Sequence, residues 1–313
     1  MGAGRILLTD LIDDGCLFSA TGLPLADRGM ATALTRHRRG RAVRHGQMTH
    51  RLMCPASRLD DLRRAVPPDD LIRVTVVADV DVTGLAPAMA RCQADPRIVL
   101  TAVEYPLALS GRADTASGLS RIARLVEETE VRLFAEPARL DDVPRLVDAV
   151  HGLRPGCRVG LRLRCAGPGP HAFAAPDAYA RALVRAAAGR LPVKAVGCAE
   201  LATRNFRAAH PTHFGVLNLL VAAARAACGG DAERVAADLV RCDPSELVEL
   251  VCRLSPEAAR ATRRLLVGCA SSDPMTTVAD CDRLGLWTQV STGAGAEAET
   301  ISETRSRAGA AAS

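Results

Sequence analysis

Lys194 is the residue whose type and setting most invite chemistry. It lies inside the apolar run Leu191-Pro192-Val193-Lys194-Ala195-Val196-Gly197-Cys198 and is the only lysine among 40 basic residues. A guanidinium stays protonated at any accessible pH, whereas a desolvated lysine can lose its proton and attack a carbonyl carbon to form an imine. Two arginines in Gly160-Leu161-Arg162-Leu163-Arg164 alternate with leucines, so one face of that segment is apolar and the other cationic. Placed beside Lys194, the cations would lower its pKa by like-charge repulsion, and apolar surroundings would act in the same direction. Glu104 and Glu136 each end an apolar run, with Pro106 and Pro137 close behind. Either carboxylate could shuttle the proton needed for carbinolamine collapse. A guanidinium left over, Arg164 in particular, could hold a substrate carboxylate or phosphate bidentately. Asn218, inside the apolar run 216–224, together with Cys269 and Ser271 at the end of the last apolar run, completes the candidate substrate-binding set.

These residues need a scaffold that brings distant segments to one place. Short apolar runs over 49–54, 72–79, 98–104, 131–136, 159–165, 193–198 and 265–269 alternate with helical patterns over 57–65, 117–128, 140–152, 177–188, 214–228 and 232–241. From residue 72 to residue 193 the strand starts lie 26 to 34 residues apart, the length of a βα unit, and the next gap of 72 residues has room for one more strand, for which 247–252 is the candidate. Strand–helix alternation of this kind means parallel strands with right-handed crossovers. Eight strands close as an α/β fold of the (β/α)8 TIM type, with an open doubly wound parallel sheet as the alternative. In such a barrel the carboxyl ends of the strands carry the chemistry, which is where Glu104, Glu136, Arg164 and Ser271 fall. The expected organisation is an N-terminal cap or lead-in over 1–45, the barrel over 46–287, and a Gly/Ala/Ser/Thr/Glu-rich tail over 288–313 expected to be disordered.

Composition narrows the function classes. A net charge of +5 and only eight aromatic residues in 313 argue against nucleic acid, and no run approaches a membrane span. The cluster Arg36-His37-Arg38-Arg39-Gly40-Arg41 is read as a solvated face. Eleven cysteines without a CxxC pair or Cys/His metal spacing suggest reduced thiols, and the N-terminus reaches Asp10 too soon for a signal peptide, so a cytoplasmic location is expected. Self-association into a homo-oligomer stays open.

Several segments together resemble a family of uncharacterised bacterial proteins with no established activity: Leu11-Ile12-Asp13-Asp14, Cys54-Pro55-Ala56-Ser57-Arg58-Leu59-Asp60, Phe134-Ala135-Glu136-Pro137, Gly160-Leu161-Arg162-Leu163-Arg164, Val193-Lys194-Ala195, Phe214-Gly215-Val216-Leu217-Asn218, and Gly268-Cys269 with Asp282-Arg283-Leu284-Gly285-Leu286. The resemblance runs from about residue 11 to residue 287. That family carries lysine at the position of Arg162, and two histidines where this chain has Glu200 and Leu201. The Arg162 and Lys194 segments are also similar, more distantly, to the deoxyribose-phosphate-aldolase group of class I aldolases. That resemblance implies Lys194 as the imine former and Arg162 as the tuning cation. The expected activity is an aldolase-like lyase acting on a small anionic carbonyl compound, needing no cofactor. One alternative is a divalent-metal enzyme built on Asp13, Asp14, Glu104, Glu136 and Glu200. Another is a catalytically silent barrel that binds a small anion or a partner.

Overall fold

A computed structural model describes residues 2–110, 115–127, 129, 131–166, 174–204 and 214–287. Eight parallel strands close into one barrel in chain order: β1 (Ile12–Asp14), β2 (Thr49–Pro55), β3 (Ile72–Val77), β4 (Ile98–Pro106), β5 (Arg132–Glu136), β6 (Val159–Arg164), β7 (Val193–Val196) and β8 (Leu266–Ser271), with β8 returning to β1. Around them lie α1 (Ala3–Leu8), α2 (Met30–Ala42), α3 (Leu59–Ala65), α4 (Val82–Gln93), α5 (Thr115–Glu127), α6 (Val143–His151), α7 (Pro176–Ala188), α8 (Val216–Ala227), α9 (Ala232–Val240), α10 (Pro244–Cys252), α11 (Pro256–Leu265) and α12 (Pro274–Arg283). The (β/α)8 expectation is therefore met, with the eighth strand found elsewhere in the chain.

Residues 247–252 form no strand. They belong to α10, which Asp243 caps by accepting from the Ser245 and Glu246 amides, with Pro244 at the first helical position. Leu247, Val248 and Val251 are buried together, which is helical spacing rather than strand alternation. Among the described residues the 72-residue gap holds the helices α8 to α11. The missing strand is β1, in the segment expected to be a lead-in. Its three residues are Ile-Asp-Asp, with too few apolar positions to register as a strand pattern, and it is held by pairing with β2 on one side and β8 on the other. The expected 288–313 tail lies outside the described residues.

Alternation along each strand sorts the side chains. On β6, Leu161 and Leu163 face the helix layer while Arg162 and Arg164 face the barrel interior, where both reach carboxylates of other strands. Register places Arg162 beside Lys194, and Lys194 beside Gly268. Gly160 lines the interior next to the Phe134 ring, and a Cβ there would come within 2.8 Å of that ring and 2.5 Å of the Pro192 carbonyl. Glycine at 160 is what lets an aromatic side chain fill the barrel at that level. Outside, the apolar faces of the helices pack on Leu133, Ala135, Leu161, Leu163, Ala195 and their neighbours in one continuous core.

Candidate functional site

A ladder of alternating charge fills the interior. Lys194 Nζ on β7 pairs with Asp13 Oδ2 on β1 and with Glu104 Oε1 on β4, and stands 3.5 Å from Thr75 Oγ1 on β3. Thr75 in turn donates to Asp13 Oδ2 at 3.2 Å. Arg162 Nε donates to the other Glu104 oxygen at 2.6 Å, and its Nη1 pairs with Glu136 Oε2 on β5. Arg164 Nε donates to Glu136 Oε1 at 2.7 Å, and its Nη1 donates to the Thr21 carbonyl at 2.7 Å. Arg51 Nη1 on β2 lies 3.6 Å from Asp13 Oδ2. Followed from one ion pair to the next, the order is Arg51, Asp13, Lys194, Glu104, Arg162, Glu136, Arg164, positive and negative in strict turn. Lys194, Glu104 and Arg162 are 0% exposed. The Phe134 ring closes one side of the ammonium, 5.5 Å from Nζ to its centroid.

Burial alone would push the Asp13 carboxyl up, but the Lys194 ammonium and the Arg51 guanidinium outweigh it and hold Asp13 below the usual carboxylate range. Glu104 is likewise raised by burial and lowered further by Lys194 and Arg162, with a net downward shift. Burial brings the Arg162 guanidinium down to about 10 against the opposing pull of Glu104, so it stays charged at neutral pH. His50, next to Arg51, is held neutral: burial and the Arg51 charge bring it down to about 4.

This geometry changes two roles read from the sequence. Arg162 does not face Lys194 as a bare neighbouring cation, because Glu104 pairs with both. Glu136 is taken up by Arg162 and Arg164, so the carboxylates in contact with the amine are Glu104 and Asp13. Asp13 entered the sequence reading only as a metal ligand, and Thr75 and the Phe134 ring did not enter it as site residues. The signal for Asp13 was its charge in the middle of Leu11-Ile12-Asp13-Asp14.

The loop between β1 and α2 covers the mouth. Gly15 N donates to the Ser271 carbonyl at 2.7 Å, a bridge joins Phe18 to Pro24, and Phe18 is buried. Gly22, at φ +82°, passes so close to the arginines that a Cβ would lie 3.0 Å from Arg164 Nη1 and 3.9 Å from Arg162 Nη2. Beneath this loop is a cavity of about 10 Å³, bordered among the described residues by Gly15, Gly22, Arg162, Gly197, Glu200 and Ser271. On its rim Glu200 accepts from the Ser272 amide and hydroxyl, both at 2.9 Å, and from the Ser271 hydroxyl at 3.2 Å.

Two candidates for substrate contact lie elsewhere. Asn218 is buried at the start of α8, where its carbonyl accepts from the Arg204 and Gly215 amides and its amide donates to the Asp238 and Arg241 carbonyls. It clamps α8 to the end of α9. Cys269 follows Gly268, whose missing side chain is the one that would face Lys194, so Cys269 points into the helix layer. There it gathers with Cys165, Cys198 and Tyr179 of α7, and burial pushes its thiol up to about 12. Cys16 stands apart, its Sγ toward the Ala33 carbonyl.

The five carboxylates of the metal reading do not meet: Asp14 faces α2 and pairs with His37 Nδ1 at 2.9 Å, and Glu200 sits on the rim. Among the described residues no three His, Cys, Asp or Glu side chains could share an ion. In the basic cluster Arg36 pairs with Asp273 at 2.8 Å, Arg38 pairs with Asp70, and His37 is buried. The glycine–proline loop over 167–170, Asn205, His210 and His213 lie outside the described residues. No described helix is long and apolar enough to cross a membrane.

No family model matches the chain, and neither the curated proteins nor the solved structures contain a match.

Proposed function

We propose that this protein is an imine-forming enzyme, an aldolase-like lyase or a close relative in chemistry, acting on a small anionic carbonyl compound through Lys194. One observation carries the reading: the only lysine of the chain projects into the centre of a (β/α)8 barrel, where carboxylates from two other strands converge on its Nζ. Imine formation needs an amine that can give up a proton and regain proton donors as the reaction proceeds, and this arrangement supplies both. As substrate enters, Nζ passes a proton to Asp13 or Glu104. The freed lone pair then attacks the carbonyl carbon, a second Nζ proton moves to the carbonyl oxygen to give the carbinolamine, and its hydroxyl takes the first proton back from the carboxylic acid and leaves as water. The resulting iminium is the electron sink for cleavage or formation of the neighbouring carbon–carbon bond. Arg162 holds Glu104 in place through Nε, and Arg164 with Glu136 continues the charge order to the mouth.

The test is reductive trapping. The full chain is incubated with short aldehydes and 2-oxo acids, borohydride is added, and intact mass is read against Lys194→Arg. An adduct on the parent that the variant lacks supports the reading; the terminal amine gives a background that both proteins share. A second reading has its own observation: Lys194, Glu104 and Arg162 are fully buried and their mouth is covered. A closed ion ladder could simply replace the usual aliphatic filling of a barrel. Equal adduct mass in parent and variant, or none in either, would favour this structural role.

A further inference from the structure

The barrel mouth holds an unused donor and an acceptor set that the imine chemistry does not require. Among the described residues Arg162 Nη2 is buried without a hydrogen-bond partner, although Nε and Nη1 of the same side chain are engaged by Glu104 and Glu136. A buried guanidinium N–H left unpaired is costly, so its direction is informative. It faces the cavity under Gly22, the residue whose absent side chain leaves that space. Arg164 Nη1, which lies against the same Gly22, donates to the Thr21 carbonyl of the covering loop, a neutral acceptor that a carboxylate would outcompete. Across the same cavity Glu200 is held by three donors from Ser271 and Ser272, which fix its carboxylate at the rim.

Depth along the strands orders these groups. Lys194 is level with Arg162 and Gly268, Arg164 lies two residues nearer the mouth, and Ser271 three residues beyond Gly268. Carbonyl, carboxylate and hydroxyl are thus expected in that order outward. We infer that the mouth is a subsite for a short 2-oxo acid bearing a hydroxyl further along its chain: the carboxylate on Arg162 Nη2 and Arg164 Nη1, the hydroxyl donating to Glu200. The inference rests on the imine reading for its carbonyl only. At about 10 Å³ the present cavity admits no more than a water-sized guest, so binding displaces the loop at Thr21 and Gly22.

The experiment uses ligands that cannot form an imine. Binding of 4-hydroxybutyrate and of butyrate to the full chain is measured by titration calorimetry, for the parent and for Glu200→Gln, Ser272→Ala and Arg162→Lys. The expected result is that 4-hydroxybutyrate binds about tenfold tighter than butyrate, the scale of one hydrogen bond to a charged acceptor. Glu200→Gln removes most of that preference and leaves butyrate unchanged. Ser272→Ala, which loosens Glu200 without removing it, reduces the preference less. Arg162→Lys keeps a cation for Glu104 but loses Nη2, and weakens both ligands alike. Equal affinity for the two acids, a preference that survives Glu200→Gln, or no binding of either overturns the subsite. The two proposals fail separately: a hydroxyl preference without any trapped adduct retains the subsite and removes the imine, whereas adducts without the preference do the reverse.

Discussion

Asp13 and Asp14 are neighbours on one three-residue strand, both buried, yet they belong to two different regions of the molecule. Asp13 faces the barrel interior and meets Lys194, Thr75 and Arg51, all from other strands. Asp14 faces the helix layer, where it pairs with His37 and accepts from the Cys16 amide. The same residue type, one position apart, is in one case a link in a ladder of seven charges and in the other half of an isolated pair. Side-chain parity decides which, and a shift of one residue would exchange them. Gly268 and Cys269 repeat the contrast on β8, one leaving room for Lys194 and the other lost among thiols and Tyr179. The interior concentrates charge that must be matched along one continuous ladder, whereas the outer layer is an apolar core with separate local polar groups, such as Asp14 with His37 and Asn218 between α8 and α9.

Breaking the interior should cost most. Lys194→Met leaves Asp13 and Glu104 buried beside too few cations, and should lower stability at neutral pH by about 3–5 kcal/mol, read as a shift in the urea midpoint. The parent carries the opposite dependence on acid. Asp13 and Glu104 have folded values below their unfolded ones, so their contribution is complete above the unfolded values, near 4, and is lost as the pH falls through the lowered folded values. The stability gap between parent and Lys194→Met should therefore narrow below about pH 4. A gap independent of pH would show that the ladder is not what the substitution broke.

His50, whose neighbour Arg51 reaches Asp13, gives a second dependence on pH. Its folded value of about 4 lies below the ordinary histidine value of 6.5, so the unfolded chain takes up the proton first. Stability should fall as the pH drops from about 6.5 towards 4, and His50→Gln should flatten that part of the profile in denaturation measured across pH.

The outer layer should respond less. Asp14→Asn weakens one buried pair, with an expected loss of about 1–2 kcal/mol in the same urea assay and no change in the mass of any trapped adduct. The smallest effect is expected from Cys269→Ala, which should leave trapping and ligand binding unchanged. A thiol reagent on the folded parent should modify Cys228 and Cys242, which are exposed, well before Cys269. Loss of adduct formation in Cys269→Ala would place that thiol in the working interior and undo the parity contrast.

How much of this was legible follows from what each element needed. β6 was legible, because Leu-Arg-Leu-Arg alternation states which face is apolar. The inward direction of Lys194 was not, because Val193, Ala195 and Val196 are all apolar and leave that strand without a clean alternation. β1 was not, since three residues with one apolar side chain carry no period, and only pairing with β2 and β8 makes them a strand. For α10, Asp243-Pro244-Ser245-Glu246 was a readable helix start, but spacing took precedence over capping in placing a strand there. Asn218 drew notice as a polar residue in an apolar run. Its partners, the Arg204 and Gly215 amides and the Asp238 and Arg241 carbonyls, could be known only once α8 and α9 were packed together.

The sequence alone determined the alternating α/β class with parallel strands, the alternation that sets Arg162 and Arg164 on the face opposite the leucines, and the singularity of Lys194, because these depend on local period and residue type. Tertiary structure decided who stands next to whom. Glu104 comes between Arg162 and Lys194, Asp13 arrives from the far end of the chain to close the barrel, and Gly22 covers the arginines, because ion pairing in a closed sheet is set by register across strands and not by distance along the chain.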